Sequence, residues 1–331
     1  MSRVFQHPFC FHFLISSSFI FLLHKSASLP SNVSDHYALL SLKTGLASDP
    51  LRVTSSWNES GHFCNWNYYL GNFSSVTVIS TAGNRLSGEI PSTLGRLQNL
   101  KILAIGLNKL SGVIPGVIFN LSSLLEIDLP ENQLQGNIPW DVFLTLPRLR
   151  RLNVGRNQLT GQVPASVSND TYLVEFGLNR NNFLGKIPTF GALTNLQWIA
   201  LNGNQLGYER DDDLSFIPSL RNCTQLQVLH ISENDLRGVF PRSLANITKL
   251  RRFTLGGNLI SGDIPSEIGV LSHLETLYNW SNQLSGSIPD SIGKLQRLNI
   301  LSLFSNRLSG NIPSSMGNLT MLTQLYLGEN D

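Results

Sequence analysis

Asparagine in the setting Asn-x-Ser/Thr occurs at Asn32, Asn58, Asn72, Asn120, Asn169, Asn222, Asn246, Asn279 and Asn318, the acceptor pattern for N-linked sugar on a secreted protein. The run Asp211, Asp212, Asp213 places three carboxylates side by side, the start of a site for a hard cation. No further ligand cluster accompanies it, so the run reads as a solvated loop. His36, His62, His230 and His273 have no mutual spacing that suggests a metal or a catalytic pair. The phosphate-cradling glycine loop, the kinase catalytic loop and the nucleophile elbow are all missing from the sequence. The residues therefore point to recognition instead of catalysis, and they imply no metal and no cofactor.

Candidate recognition residues share one phase. Asparagines recur at Asn84, Asn108, Asn132, Asn157, Asn181, Asn204, Asn234, Asn258, Asn282, Asn306 and Asn330, spaced 24, 24, 25, 24, 23, 30, 24, 24, 24 and 24 residues apart. Apolar residues stand eight, five and three positions before each landmark, as in Leu298, Leu301 and Leu303 before Asn306. The last two alternate as in a short strand with one buried face, so stacked copies predict a parallel sheet along one side of a solenoid. The landmark amide suits the turn leaving the strand, the following Gly permits a tight backbone, and the Pro after it fixes an extended segment. One repeat buries about five apolar side chains at roughly 1.5–3 kcal/mol each, against backbone ordering of about 1–2 kcal/mol per residue. It cannot fold alone, and stability must come from repeat-on-repeat contact.

In this register the positions six, four and two before each landmark face outward. They present Glu126, Asp128, Arg151, Asn153, Glu175 and Asn179 in the middle of the chain, then His230, Arg252, Tyr278, Trp280, Phe304 and Tyr326. Aromatic side chains on a rigid face are the expected anchors of a peptide or protein ligand. Asn120, Asn169, Asn246 and Asn318 each follow a landmark by twelve residues, so one face is expected to carry their glycans. Asn279 has a sequon too, but it lies three residues before Asn282, where other repeats mostly place Leu, Ile or Val, and is expected to point inward.

Bulk properties agree with a binding module. The 331 residues are 41% hydrophobic and 14% charged with a net charge of +2, and no basic stripe suits a nucleic-acid backbone. Residues 1–28 read as a secretory signal peptide, with Arg3 ahead of the apolar run PFCFHFLISSSFIFLL and small Ser26 and Ser28 near the cleavage point. That run falls short of the roughly 20 residues needed to span a bilayer, and no other segment suggests a membrane span. Cys10 leaves with the leader, and Cys64 and Cys223 are too far apart along the stack to pair.

The phrase LSGxIPxxLGxL, as in Leu86–Leu97, resembles the plant-type leucine-rich repeat. The stretch SDHYALLSLKTGLASDP, followed by SSWN and CNW, is similar to the N-terminal cap of plant leucine-rich-repeat receptor kinases. The longer repeat NQLGYERDDDLSFIPSLRNCTQLQVL resembles that of the immune-receptor subfamily that includes the rice bacterial-blight resistance receptor. The resemblance implies an α/β solenoid, a right-handed superhelix with a concave parallel sheet and a helical cap. Its parts would be a signal peptide at 1–28, the cap at 29–75 and about eleven repeats at 76–331. It also implies an extracellular peptide- or protein-binding module, in the apoplast or at the plasma membrane, acting in defence with a possible co-receptor and without the kinase domain. A secreted inhibitor resembling polygalacturonase-inhibiting proteins is one alternative. Gly71 stands where the cap's second Cys belongs, and the sequence stops at Asp331, which reads as a truncated product and leaves a non-functional remnant as another alternative.

Overall fold

The structure is a computed structural model that describes residues 75–208 and 212–331. The leader, nearly all of the cap, Cys64, Gly71 and Asp211 lie outside those residues.

Each described repeat contributes one strand to an eleven-stranded parallel sheet, from Val78–Ser80 to Gln324–Tyr326, in which every strand pairs with those of the adjoining repeats. Register is kept throughout: Ile102 pairs with Glu126, Glu126 with Arg151, and Arg151 with Glu175. The central residue of each strand therefore falls in one inward row, including Leu103, Ile127, Leu152, Phe176, Leu229, Phe253, Leu277 and Leu301, all essentially inaccessible to solvent. Opposite the sheet, short 3-10 turns close most repeats, and those at Gly116–Asn120 and Ser266–Val270 are each entered from an extended proline. In the central repeats Phe143, Phe176, Phe190 and Phe216 meet edge to face at 5.9, 6.1 and 6.0 Å, the arrangement that ring quadrupoles favour.

The landmark asparagines join repeats to one another. Asn258 Nδ2 donates to the carbonyl of Leu255 at 2.8 Å and to that of Ile231, one repeat earlier, at 3.0 Å. Its Oδ1 accepts from the Leu236 N–H at 3.1 Å. The same pattern recurs at Asn108, Asn157, Asn181 and Asn234. One amide thus satisfies backbone groups that the turn takes out of the ladder. Holding the amide there forces the preceding residue into left-handed backbone: among the described residues eight non-glycine positions, including Leu107, Glu131, Ser281 and Ser305, have φ between 45° and 56°.

A second layer of strands was not foreseen from the sequence. Past the landmarks, six strands from Ser87–Glu89 to Gln205–Leu206 form one parallel sheet, and three from Arg237–Val239 to Gln283–Ser285 form another. Their glycines let repeats approach closely. At Gly136, φ is +85° and a Cβ would sit 3.0 Å from Val113. The break between the two sheets falls at the long repeat, and there the reading of the acidic run as a solvated loop needs correction. Asp213 is buried, and its carboxylate accepts from the N–H groups of Tyr208 at 2.9 Å and Arg237 at 3.0 Å, stitching two repeats together where the sheet cannot. Asp212 keeps a surface contact, 4.0 Å from Lys186.

Candidate functional site on the concave sheet

Register decides which outward side chains meet. In the middle of the sheet Glu126, Arg151 and Glu175 occupy one row, and Arg151 sits between the two acids: Nη2 donates to Glu175 Oε1 at 2.9 Å, and Nη1 is 3.5 Å from Glu126 Oε2. In the adjacent row Asn153 donates to Asp128 at 2.8 Å. Burial raises the Asp128 carboxyl above its ordinary range, opposed by that hydrogen bond and by Arg151. These predicted site residues are thus paired with one another.

The later repeats differ. His230 lies beside Trp198, ring centroids 5.7 Å apart and edge to face. Burial, helped by the charge of Arg252, pushes its imidazole down to about 4, so it faces a ligand as a neutral ring at physiological pH. The Arg252 guanidinium, half-buried, makes no ion pair or side-chain hydrogen bond among the described residues. Trp198 was missing from the sequence-based set. It holds the position six before Asn204, and its phase alone would have found it.

Three repeats from Asn258 onward complete the row. Tyr278 pairs with Ser302, and Ser302 with Tyr326, so a small buried residue separates two tyrosines about two strand spacings apart, roughly 10 Å. Burial raises the Tyr278 phenol, with a lesser contribution from Tyr326. Trp280 and Phe304 stand just beyond the strands and use glycines as seats. A Cβ on Gly256 would meet the Trp280 indole at 2.6 Å, and one on Gly328 would touch the Phe304 ring at 3.5 Å. The indole therefore lies back over the preceding repeat while the phenyl ring lies toward the following one. Tyr278 and Trp280 are partly exposed, and Phe304 and Tyr326 are 38% and 42% exposed. Trp198, His230, Arg252, Tyr278, Trp280, Phe304 and Tyr326 thus all lie on the outward side of the later repeats, with Thr254 and the buried Ser302 interspersed among them.

Asn120, Asn169, Asn246 and Asn318 each end a 3-10 turn on the opposite side and are exposed, and Asn222 ends another in the same way. Asn279 is fully buried, as expected from its phase. Cys223 is a free, buried thiol pushed up to about 11 by desolvation. Among the described residues no helix is long and apolar enough to cross a membrane, and no group of three ligands could hold a metal ion.

Comparison with known proteins matches a leucine-rich repeat region at residues 208–330, a leucine-rich repeat at 148–169 and a leucine rich repeat N-terminal domain at 32–68. A probable LRR receptor-like serine/threonine-protein kinase of Arabidopsis thaliana is 47% identical over 55 residues, 17% of this chain and 5% of that protein. The receptor kinase-like protein Xa21 of Oryza sativa subsp. japonica is 43% identical over 54 residues, 16% of this chain and again 5% of the relative. Among solved structures, the plant peptide hormone receptor RGFR1 in complex with RGF2 superposes with a TM-score of 0.71 at 34% identity, covering 76% of this chain and 40% of the receptor.

Proposed function

We propose that this chain, a leucine-rich-repeat protein with the ectodomain build of plant receptor kinases, captures an extended peptide or protein segment along its concave sheet. The observation that carries the proposal is the outward set of aromatic side chains from Trp198 to Tyr326, with the unpaired cation Arg252 among them. A ligand laid across the strands would place side chains between rings seated in successive repeats, with a carboxylate directed to Arg252. The central Glu126–Arg151–Glu175 cluster and Asp128 would sit beneath the ligand's other half, where paired charges select partners more than they add affinity. The likeness to a receptor crystallised with a peptide hormone supports this use of the face. Similarity to the rice receptor supports the finer reading, a ligand arising in defence. The leader read at 1–28 and the exposed sequons at Asn120, Asn169, Asn246 and Asn318 support a location outside the cell, and glycosidase treatment of plant-expressed protein should lower its mass.

The test is a screen of peptides and secreted proteins for a binder, followed by measurement of Trp280→Ala and Tyr278→Ala against Ser302→Ala and Asp212→Ala. Truncating a central aromatic anchor should cost about 2 kcal/mol or more, roughly thirtyfold in affinity, while the last two variants bind as the parent does. Equal affinities for all four, with unchanged circular dichroism, would move the site off this face.

A further inference from the structure

A depression lies away from the concave sheet. A cavity of about 640 Å³ opens between the second sheet and the 3-10 turns, lined among others by Val113, Asn137, Pro139, Trp140, Asp141 and Gln162. It arises where the repeat from Asn132 runs to 25 residues instead of 24. In most other repeats a 3-10 turn begins directly after the proline, as Gly116 does after Pro115. Here Trp140 and Asp141 intervene, and a short α-helix at Val142–Thr145 takes the place of the turn.

Two features of this depression have no use in folding. Trp140 is 68% exposed, although its backbone is held fast: the carbonyl accepts from the Ser166 N–H of the next repeat at 3.2 Å. The neighbouring Val142 and Phe143 already fill the core. The second feature is a set of polar side chains with no protein partner. Asn137 and Gln162 occupy the same position in consecutive repeats, each leaning over a glycine of the repeat that follows, Gly161 and Gly185. Among the described residues, neither their amides nor the Asp141 carboxylate takes part in a hydrogen bond or ion pair.

We propose that this depression binds a pyranose saccharide. An exposed indole offers a flat apolar face for the C–H groups of a sugar ring. Two amides and a carboxylate supply both donors and acceptors for ring hydroxyls. No Lys or Arg lines the cavity, which disfavours phosphates and carboxylates and leaves a neutral polyhydroxylated ligand. The volume lies within the roughly 300–1,000 Å³ of small-molecule sites. The chain carries candidate sources of such a ring itself. Gly116 and Ala165, which line the cavity, begin the turns that end at the sequons Asn120 and Asn169, and four residues at a rise of about 2 Å place each sequon roughly 8 Å away. The repeat bearing Trp140 has no sequon of its own.

The test titrates N,N′-diacetylchitobiose and cellobiose into the full chain in which Asn120→Gln and Asn169→Gln have removed the flanking glycans, followed by saturation-transfer NMR and calorimetry. At least one disaccharide should bind with a millimolar dissociation constant. Trp140→Ala should weaken it tenfold or more, Asn137→Ala and Gln162→Ala several-fold, and Trp280→Ala not at all. Because Trp140 is exposed, its loss should leave the urea midpoint unchanged. Absence of binding by both disaccharides, or binding unaffected by Trp140→Ala, would overturn the proposal. A second arm compares the glycosylated chain with the sequon-free variant. Weaker binding by the glycosylated chain assigns the site to the protein's own glycan, and equal binding assigns it to an external saccharide, the sugar chemistry standing in either case.

Discussion

Replacing Asn279 by leucine should make this protein more stable, an unusual outcome for a change at a fully buried position. Asn279 is inaccessible to solvent, between Leu255 and Leu303 of the flanking repeats, and its Nδ2 has no hydrogen-bond partner. Its Oδ1 accepts from Asn282 Nδ2 at 3.0 Å, but Asn282 keeps its bonds to the carbonyls of Leu255 at 3.1 Å and Trp280 at 3.2 Å when that acceptor is removed. Removing a buried unsatisfied donor recovers about 1–3 kcal/mol, less about 0.5–1.5 kcal/mol for the lost hydrogen bond. Burying a leucine in its place contributes about 1.5–3 kcal/mol, so the net gain is on the order of 2 kcal/mol. The assay is urea unfolding followed by circular dichroism. Because the substitution also deletes the sequon ending at Ser281, Ser281→Gly serves as the control: it deletes the sequon, keeps the amide and relieves a φ of 45°. A midpoint for Asn279→Leu at or below the parent's would refute the reasoning. So would a glycan on Asn279 in the secreted protein, since a modified side chain cannot face the core.

Three further outcomes follow from the same structure. His230 has a folded pKa of about 4 against an ordinary 6.5, so the unfolded chain binds the proton first as pH falls. Its contribution is complete above pH ~6.5 and is lost as pH drops toward 4, and His230→Gln should flatten the dependence of the urea midpoint on pH over that window, identical slopes arguing against it. Asn258→Ala strips the amide from four backbone partners in its own and the preceding repeat and should cost about 2–4 kcal/mol, whereas Leu107→Gly, at a φ of 55°, should stay within about 1 kcal/mol of the parent; comparable losses would argue against the amide ladder. Arg151→Ala leaves Glu126 and Glu175 facing each other across one strand, and because all three are partly exposed the loss should be about 1 kcal/mol and should shrink in high salt. A salt-independent loss would indicate packing instead.

The landmark spacing made the concave sheet legible because strand phase and burial follow from the same 24-residue count. The inward row, the outward aromatics and the buried Asn279 all came from that phase. The second sheet did not, since its strands, such as Lys109–Val113, carry Ser and Gly and read as turns. Their pairing is a property of stacked repeats, not of any one of them. Nor did the left-handed residues before each landmark stand out. Leu107, Glu131 and Ser305 have no common chemistry, and the conformation is imposed by the amide that follows. Pairing of Arg151 with both glutamates likewise required register.

What composition and phase could not convey lies almost entirely where the period fails. The 25-residue spacing after Asn132 produces the depression at Trp140, and the 30-residue spacing after Asn204 brings in Asp213, which links the repeats on either side of the break in the second sheet. A repeat of constant length can only continue the stack, because each residue must lie over its counterpart. A residue added or lost frees the chain locally from that obligation. In a solenoid, departures from the period are therefore the places where side chains become available for work other than holding the fold.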